Sequence, residues 1–250
     1  MHTKHFLSTL LATLFALPTM AGGDDFGLWY SLEASKRLAP AWSLGAEAEL
    51  RTRNNTKTLD RWSLGLSVTF KATPWLKASA GYTLLDNHNP EKISWQDDEP
   101  NVPNKWTPSY WGLRHRCNVS LTGSVDLGRF GLSLRERWQY TYRPLAKEKK
   151  YDVDNDEWDD VKSKGKHALR SRLQVDYNIP KCKVDPFANV EMFNYQGGER
   201  KMRYQAGVEW KLSKQHVFQL AYRYQTVNND DDDDGDTNSH LIGLGYKFKF

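Results

Sequence analysis

Three pairs of arginines are spaced two residues apart along the chain. The pairs are Arg114 and Arg116, Arg135 and Arg137, and Arg170 and Arg172. Successive side chains of a β-strand point to opposite faces, so the two members of each pair share a face if they lie on strands. Three such strands around an enclosed space would form an arginine ladder, and rings of arginine and lysine favour anions in a pore.

The same strand face carries further charges, and most of them are basic. The arginines that the alternation assigns to it are Arg51, Arg53, Arg61, Arg114, Arg116, Arg135, Arg137, Arg170, Arg172, Arg203 and Arg223. Its acids are fewer, namely Glu33, Glu47, Glu49, Asp126, Asp176, Glu191 and Glu209. One hypothesis is a narrow channel that prefers small anionic solutes. The other is a plugged structural or adhesive barrel, in which arginine and glutamate interlock and nothing is conducted.

The segment from Ser239 to Phe250 shows which kind of strand could carry these charges. Its apolar side chains, which end in Tyr246, Phe248 and Phe250, fall on one face, opposite a face of glycines and lysines. This pattern is typical of a lipid-facing strand that closes a membrane β-barrel. The terminal phenylalanine with apolar residues at alternate positions resembles the signature by which outer-membrane barrels are recognised, which implies the barrel-insertion machinery as a partner.

Alternation with a period of two continues along most of the chain, which has a mean hydropathy of −0.74 and 13% aromatic residues. A barrel reconciles these values, because only every second strand residue must be apolar. No apolar stretch after the first 21 residues approaches the ~20 residues that a spanning helix needs. We therefore predict an all-β protein, a transmembrane antiparallel up-and-down β-barrel.

The connections between the predicted strands alternate in length. Short connections are expected at 37–40, 72–74, 127–129, 178–183 and 213–215, and longer ones at 54–58, 87–108, 143–166, 196–201 and 228–238. Bacterial barrels place short turns in the periplasm and long loops outside. The pattern gives eleven strands, but bacterial single-chain barrels have even numbers, so we expect about 12 strands, with 10 as the alternative.

The first 21 residues have a basic start, an apolar run and a step of small residues, which together predict a secretory signal peptide. Residues 22–250 then form the outer-membrane β-barrel domain. The cell outer membrane is the expected location, with membrane lipid and lipopolysaccharide as partners.

Several stretches support a family resemblance, among them LWYSLEASKRLAPAWSLGAEAELR, GYTLLDN, LGRFGLSLRERWQY, LQVDYNIPKCKVDPFANVEMF and HLIGLGYKFKF. In this order they resemble an uncharacterised Gram-negative outer-membrane β-barrel family, a domain of unknown function, over essentially the whole chain after residue 21. Its general shape is similar to that of the narrow acidic-oligosaccharide porins. The resemblance implies a fold and a location, but no chemistry.

Other functions have weaker support in the sequence. His115 and Cys117 share a strand face, so a lipid-modifying enzyme with an activated thiol is a third hypothesis. The acidic stretches 152–156 and 230–236 lack the glutamate that a calcium loop needs at its twelfth position. We predict no metal site and no cofactor. Nucleic-acid binding is disfavoured, because the formal charge of +4 is small and the basic residues are expected to point inward.

Overall fold

The computed structural model describes residues 24–96, 102–198, 200–228 and 238–250. The predicted signal peptide and the acidic stretch 230–236 lie outside these residues. Fifteen β-strands are present in the described part of the chain: β1 (Asp25–Arg37), β2 (Trp42–Arg53), β3 (Thr58–Lys71), β4 (Leu76–Asn89), β5 (Lys92–Trp95), β6 (Pro103–Thr107), β7 (Tyr110–Leu127), β8 (Phe130–Arg143), β9 (Lys149–Asp152), β10 (Glu157–Asp160), β11 (Lys164–Tyr177), β12 (Val184–Tyr195), β13 (Arg200–Lys211), β14 (His216–Asn228) and β15 (Ser239–Lys249). No helix of these residues is long and apolar enough to cross a membrane.

Eleven of the strands form a closed barrel in the order β1-β15-β14-β13-β12-β11-β8-β7-β4-β3-β2. This confirms the predicted all-β barrel, and every neighbouring pair but one is antiparallel. The exception is the seam, where β1 and β15 pair in parallel from Asp25 opposite Ser239 to Ser35 opposite Lys249. The barrel thus has one strand fewer than the expected twelve. An up-and-down barrel with an odd number of strands must close with one parallel pair, and the expectation of an even number left that closure out.

The period-two alternation of the sequence is the reason for the two faces of the wall. Apolar side chains on the outer face are widely exposed, for example Leu66 at 62% and Leu121 at 54%, as a surface solvated by lipid requires. Aromatic side chains are exposed near the short turns, and these are Trp42, Trp75, Phe130, Trp210, Phe218 and Phe250. Such a belt is typical of a membrane interface.

The four remaining strands form a separate sheet in the order β10-β9-β6-β5, which we call the cap sheet. It is built from the two longest predicted loops, so β5 and β6 come from one loop and β9 and β10 from the other. Ile93, Trp106, Tyr151 and Trp158 lie in register across all four strands. The cap sheet therefore presents a row of large apolar side chains on one face, beyond the loop end of the barrel.

Candidate functional site in the barrel lumen

The barrel encloses a central cavity of about 430 Å³ with a strongly charged lining. Among the described residues, its lining has nine arginines and two lysines against five glutamates, an excess of six positive charges. The basic residues are Arg51, Arg61, Arg116, Arg135, Arg137, Arg170, Arg172, Arg203, Arg223, Lys201 and Lys247. The acids are Glu33, Glu47, Glu49, Glu191 and Glu209.

The arginine pairs of β8 and β11 face one another across one strand pairing. Arg135 is opposite Arg172, and Arg137 is opposite Arg170. Like charges directly opposite each other destabilise a strand pair. Glu191 follows on β12, opposite Arg172, and thus brings a carboxylate beside this cluster of guanidinium groups.

Glu191 links its own strand, β12, to three other strands. Its carboxylate accepts hydrogen bonds from Arg135 and from Arg170, the latter at 2.9 Å, and lies 3.6 Å from the guanidinium of Arg203. Only 5% of the Glu191 side chain is exposed, and the three arginines are nearly as buried. Phe193 supports the cluster, because the guanidinium groups of Arg170 and Arg203 lie 4.4 and 4.9 Å from its ring.

A second cluster lies on the strands at the start of the chain. The indole nitrogen of Trp29 donates to Glu49 over 2.7 Å, and Arg51 donates to the same carboxylate over 2.8 Å. The Trp29 ring in turn packs against Arg51 at 3.4 Å and Arg223 at 4.2 Å. Cation–π contacts and charge-assisted hydrogen bonds therefore hold this part of the wall in place.

Arg137 and Arg172 have no such support. Both line the cavity, and in the described part of the chain neither guanidinium forms an ion pair or a hydrogen bond, while the Nε atom of each is buried without a partner. These two groups are the central positive charges best placed to contact a solute.

Two of the arginines assigned to this face by sequence do not line the central cavity. Arg114 is buried at the loop end of the lumen, beyond the central cavity, and donates to Asn89 over 2.8 Å. Arg53, near the loop end of β2, contacts His88 at 2.9 Å and Asp60 at 3.7 Å. The register of β2 against β3 shifts just before it, between Arg51 and Thr52, because Asp60 of β3 has no partner in β2.

In the described part of the chain, further cavities share lining residues with the central one or with each other. At the loop end, a cavity of about 40 Å³ shares Arg116, Gln139 and Tyr195 with the central cavity, and we call this cavity the neck. Beyond the neck, a vestibule of about 370 Å³ shares Arg143 and Lys164 with the neck. At the other end, an inner cavity of about 270 Å³ shares residues such as Glu47 and Arg137 with the central one. The cavities thus adjoin one another in series.

The sequence interpretation missed several residues of this path. The sequence pattern places Lys164 and Lys166 in a loop, but in the structure they belong to β11 and continue the face of Arg170 and Arg172. The apolar rings of Trp29 and Phe193 inside the lumen were also missed. Both could be recognised from their position, because each lies an even number of residues from charged residues of its own strand and therefore on the same face.

The fold and its lining define a membrane-type β-barrel with a polar interior. Residues 26–236 match a family model described as "Protein of unknown function (DUF2490)", and the chain belongs to this family. The match confirms the resemblance to an uncharacterised family. No curated protein matches the chain.

Solved structures with a similar fold include an autotransporter domain, a porin and a channel. The beta domain of the Bordetella autotransporter BrkA has 14% identity and a TM-score of 0.51, with 83% of this chain and 81% of that chain covered. The NanC porin has 11% identity and a TM-score of 0.49, with 91% and 100% covered. The CymD monoaromatic hydrocarbon channel has 9% identity and a TM-score of 0.40, with 78% and 66% covered. At these identities the likeness concerns the fold alone.

Proposed function

We propose that this protein is a narrow channel in the outer membrane of a Gram-negative bacterium and that it prefers small anions. The observation that carries the proposal is the lining of the central cavity, with its excess of six positive charges. Basic rings attract anions into a pore. Neighbouring cavities share lining residues with the central cavity toward the loop end and toward the short turns.

The outer surface supports the proposed location. Its exposed aliphatic band and the aromatic belt beside the short turns fit a lipid bilayer with two interfaces. On β15 the outward-facing Tyr246 accepts or donates a hydrogen bond with His216 over 2.7 Å, and Phe248 packs edge-on against Phe250. We propose that this terminal aromatic set is presented to the barrel-insertion machinery, after export directed by the signal peptide.

Planar-bilayer recording of the purified protein tests the channel proposal. In a potassium chloride gradient, the zero-current potential of a conducting barrel that prefers anions has the same sign as the equilibrium potential of chloride. A cation-dominated potential would refute the proposed charge preference, and complete absence of current would refute conduction.

A barrel that does not conduct, with a structural or adhesive role, is the second candidate. Two observations favour it: the neck is small, at about 40 Å³, and the cap sheet exposes the apolar side chains of Ile93 and Trp158, the latter to 50%. Absence of current, together with adhesion lost on Trp158→Ser, would select this candidate.

The proposed thiol chemistry has little support in the geometry. His115 forms a hydrogen bond with the Tyr82 hydroxyl over 2.7 Å through Nδ1, and Cys117 is a free, exposed thiol. We therefore propose no catalytic role for this pair.

A further inference from the structure

Every strand of the barrel contributes to the central cavity. Its lining includes at least one residue from each of the eleven strands, so the barrel wall surrounds the cavity on all sides. Most of its charged side chains have a charged or polar partner; for example, Arg135 and Arg170 bind Glu191, and Arg51 binds Glu49. What a solute meets in this cavity therefore depends on the few charges that remain.

Three charges of this lining have no such partner in the described part of the chain. They are the guanidinium groups of Arg137 and Arg172 and the carboxylate of Glu47, none of which forms an ion pair or a hydrogen bond. Glu47 is exposed within the lumen. All three groups are therefore open to a solute in the cavity.

The two signs of unpaired charge lie on opposite walls. Arg137 is on β8 and Arg172 on the adjacent β11, whereas Glu47 is on β2, beside Glu33 of β1. In the barrel order, strands β12 to β15 separate these two pairs of strands on one side, and β3, β4 and β7 separate them on the other. Arg137, Glu33 and Glu47 all line both the central and the inner cavity, so the two walls border the same part of the lumen.

Each wall lacks charge of the opposite sign. Glu33 and Glu47 stand directly opposite each other in the pairing of β1 with β2, and like charges in that position destabilise a strand pair. Lys247 compensates them little, because it lies 4.0 Å from Glu33 but 2.9 Å from Glu209. An ammonium group would stabilise the acidic wall, and a carboxylate would stabilise the arginine wall, since guanidinium groups bind carboxylates through paired hydrogen bonds.

We propose that the central cavity binds small zwitterions whose carboxylate and ammonium groups are separated by a short chain. The carboxylate contacts Arg137 and Arg172, and the ammonium contacts Glu47 and Glu33. Eleven strands spaced about 4.8 Å apart enclose a barrel at least ~17 Å wide between backbones, so an α-amino acid, with its two charges side by side, does not reach both walls. The inference rests on the proposed channel function for passage of the solute, although binding itself requires no conduction.

Isothermal titration calorimetry of the purified barrel tests this inference, in an uncharged detergent and a weakly alkaline buffer of low salt, where carboxylates are ionised and amines protonated. The probes are ε-aminocaproate, which carries both charges, and caproate and hexylamine, which carry one each. We expect ε-aminocaproate to bind about fivefold more tightly than caproate, the gain from one further partly exposed ion pair. Hexylamine should bind most weakly, because the lining has an excess of positive charge. Equal affinities for ε-aminocaproate and caproate would overturn the proposal.

Glu47→Gln removes the unpaired carboxylate and keeps the size of the side chain. We expect this variant to bind ε-aminocaproate no more tightly than caproate, while its affinity for caproate does not fall. The matched control is Glu157→Gln, which makes the same change at an exposed position of the cap sheet, outside the cavity lining. The control should keep the preference of the wild type, and equal behaviour of the two variants would refute the role of Glu47.

The outcomes separate the binding site from the channel function. A wild type that prefers ε-aminocaproate but passes no current in planar bilayers refutes conduction and supports the site. A wild type that prefers chloride but does not distinguish ε-aminocaproate from caproate refutes the site alone. The comparison of the three probes on the wild type needs no variant, so it decides the proposal even where Glu47→Gln does not form a heat-modifiable barrel.

Discussion

The central cavity and the neck use the same residue types in different ways. In the centre, Arg135, Arg170 and Arg203 converge on the buried Glu191. Its carboxylate neutralises part of their charge, and these ion pairs hold the strands together. In the neck, Arg116 donates to the Thr141 hydroxyl, and the ammonium of Lys166 lies 4.4 Å from the centre of the Tyr195 ring. The number of arginines on a lumen face therefore does not by itself show which of them can contact a solute, because nearby carboxylates neutralise some of the charges.

The largest expected effect comes from breaking the central cluster at Glu191. In Glu191→Gln, three buried guanidinium groups lose their shared counter-charge, and removing one partner of a buried pair is strongly destabilising. We expect the free energy of unfolding to fall by about 3 kcal/mol, the low end for such changes, since the cavity is polar. Urea unfolding in detergent micelles, followed by tryptophan fluorescence, measures this loss.

Glu209→Gln is the matched control for that experiment. Glu209 pairs with Lys247 at 2.9 Å, but its side chain is 27% exposed. A more exposed pair contributes at most about 1 kcal/mol. Equal losses for the two variants would contradict the special role of Glu191.

A smaller loss of stability is expected at the second cluster. Trp29→Phe keeps an aromatic ring beside Arg51 and Arg223, but removes the indole donor to Glu49. The net contribution of a hydrogen bond to a charged group predicts a loss of about 2 kcal/mol or less. The same unfolding measurement applies, with Trp210→Phe on the exposed outer face as the control. A loss no greater than that of the control would refute the bracing role of the Trp29 side chain.

The smallest effect is expected from the unsupported arginines of the centre. Arg137→Gln with Arg172→Gln lowers the excess charge of the central lining from six to four, so the ratio of chloride to potassium permeability should fall by about twofold, since salt screens the charges that remain. Zero-current potentials in a salt gradient measure the ratio. An unchanged ratio would refute the part of these two arginines in the charge preference.

Much of this arrangement follows from the period-two pattern of the sequence. That pattern assigns Arg170 and Arg172 to the lumen and Leu169 and Leu173 to the lipid face, because a strand has only two faces. It does not reveal the register shift between Arg51 and Thr52, where Asp60 of β3 has no partner in β2, since such a shift leaves no mark in residue type. It also could not give the parallel seam, which depends on how the last strand meets the first.

The remaining features depend on contacts between distant segments. The strands of the cap sheet are four or five residues long, and isolated hairpins of that size are only marginally stable. Each of the two stretches is therefore predicted as a loop, because the sequence does not show that they pair with each other. The role of Glu191 is similar: its three arginines come from β8, β11 and β13, and no local motif links them.

Thiol modification at the neck tests most directly that this point lines the conduction path. Lys166→Cys is introduced together with Cys117→Ser and Cys182→Ser, because both native thiols are free and exposed. During bilayer recording, a negatively charged methanethiosulfonate reagent should reduce the chloride current at once and shift the zero-current potential toward potassium. A positively charged reagent, applied to protein whose thiol is still free, should restore the anion preference. An unchanged current and potential with both reagents, despite modification of the thiol confirmed by mass, would contradict the account.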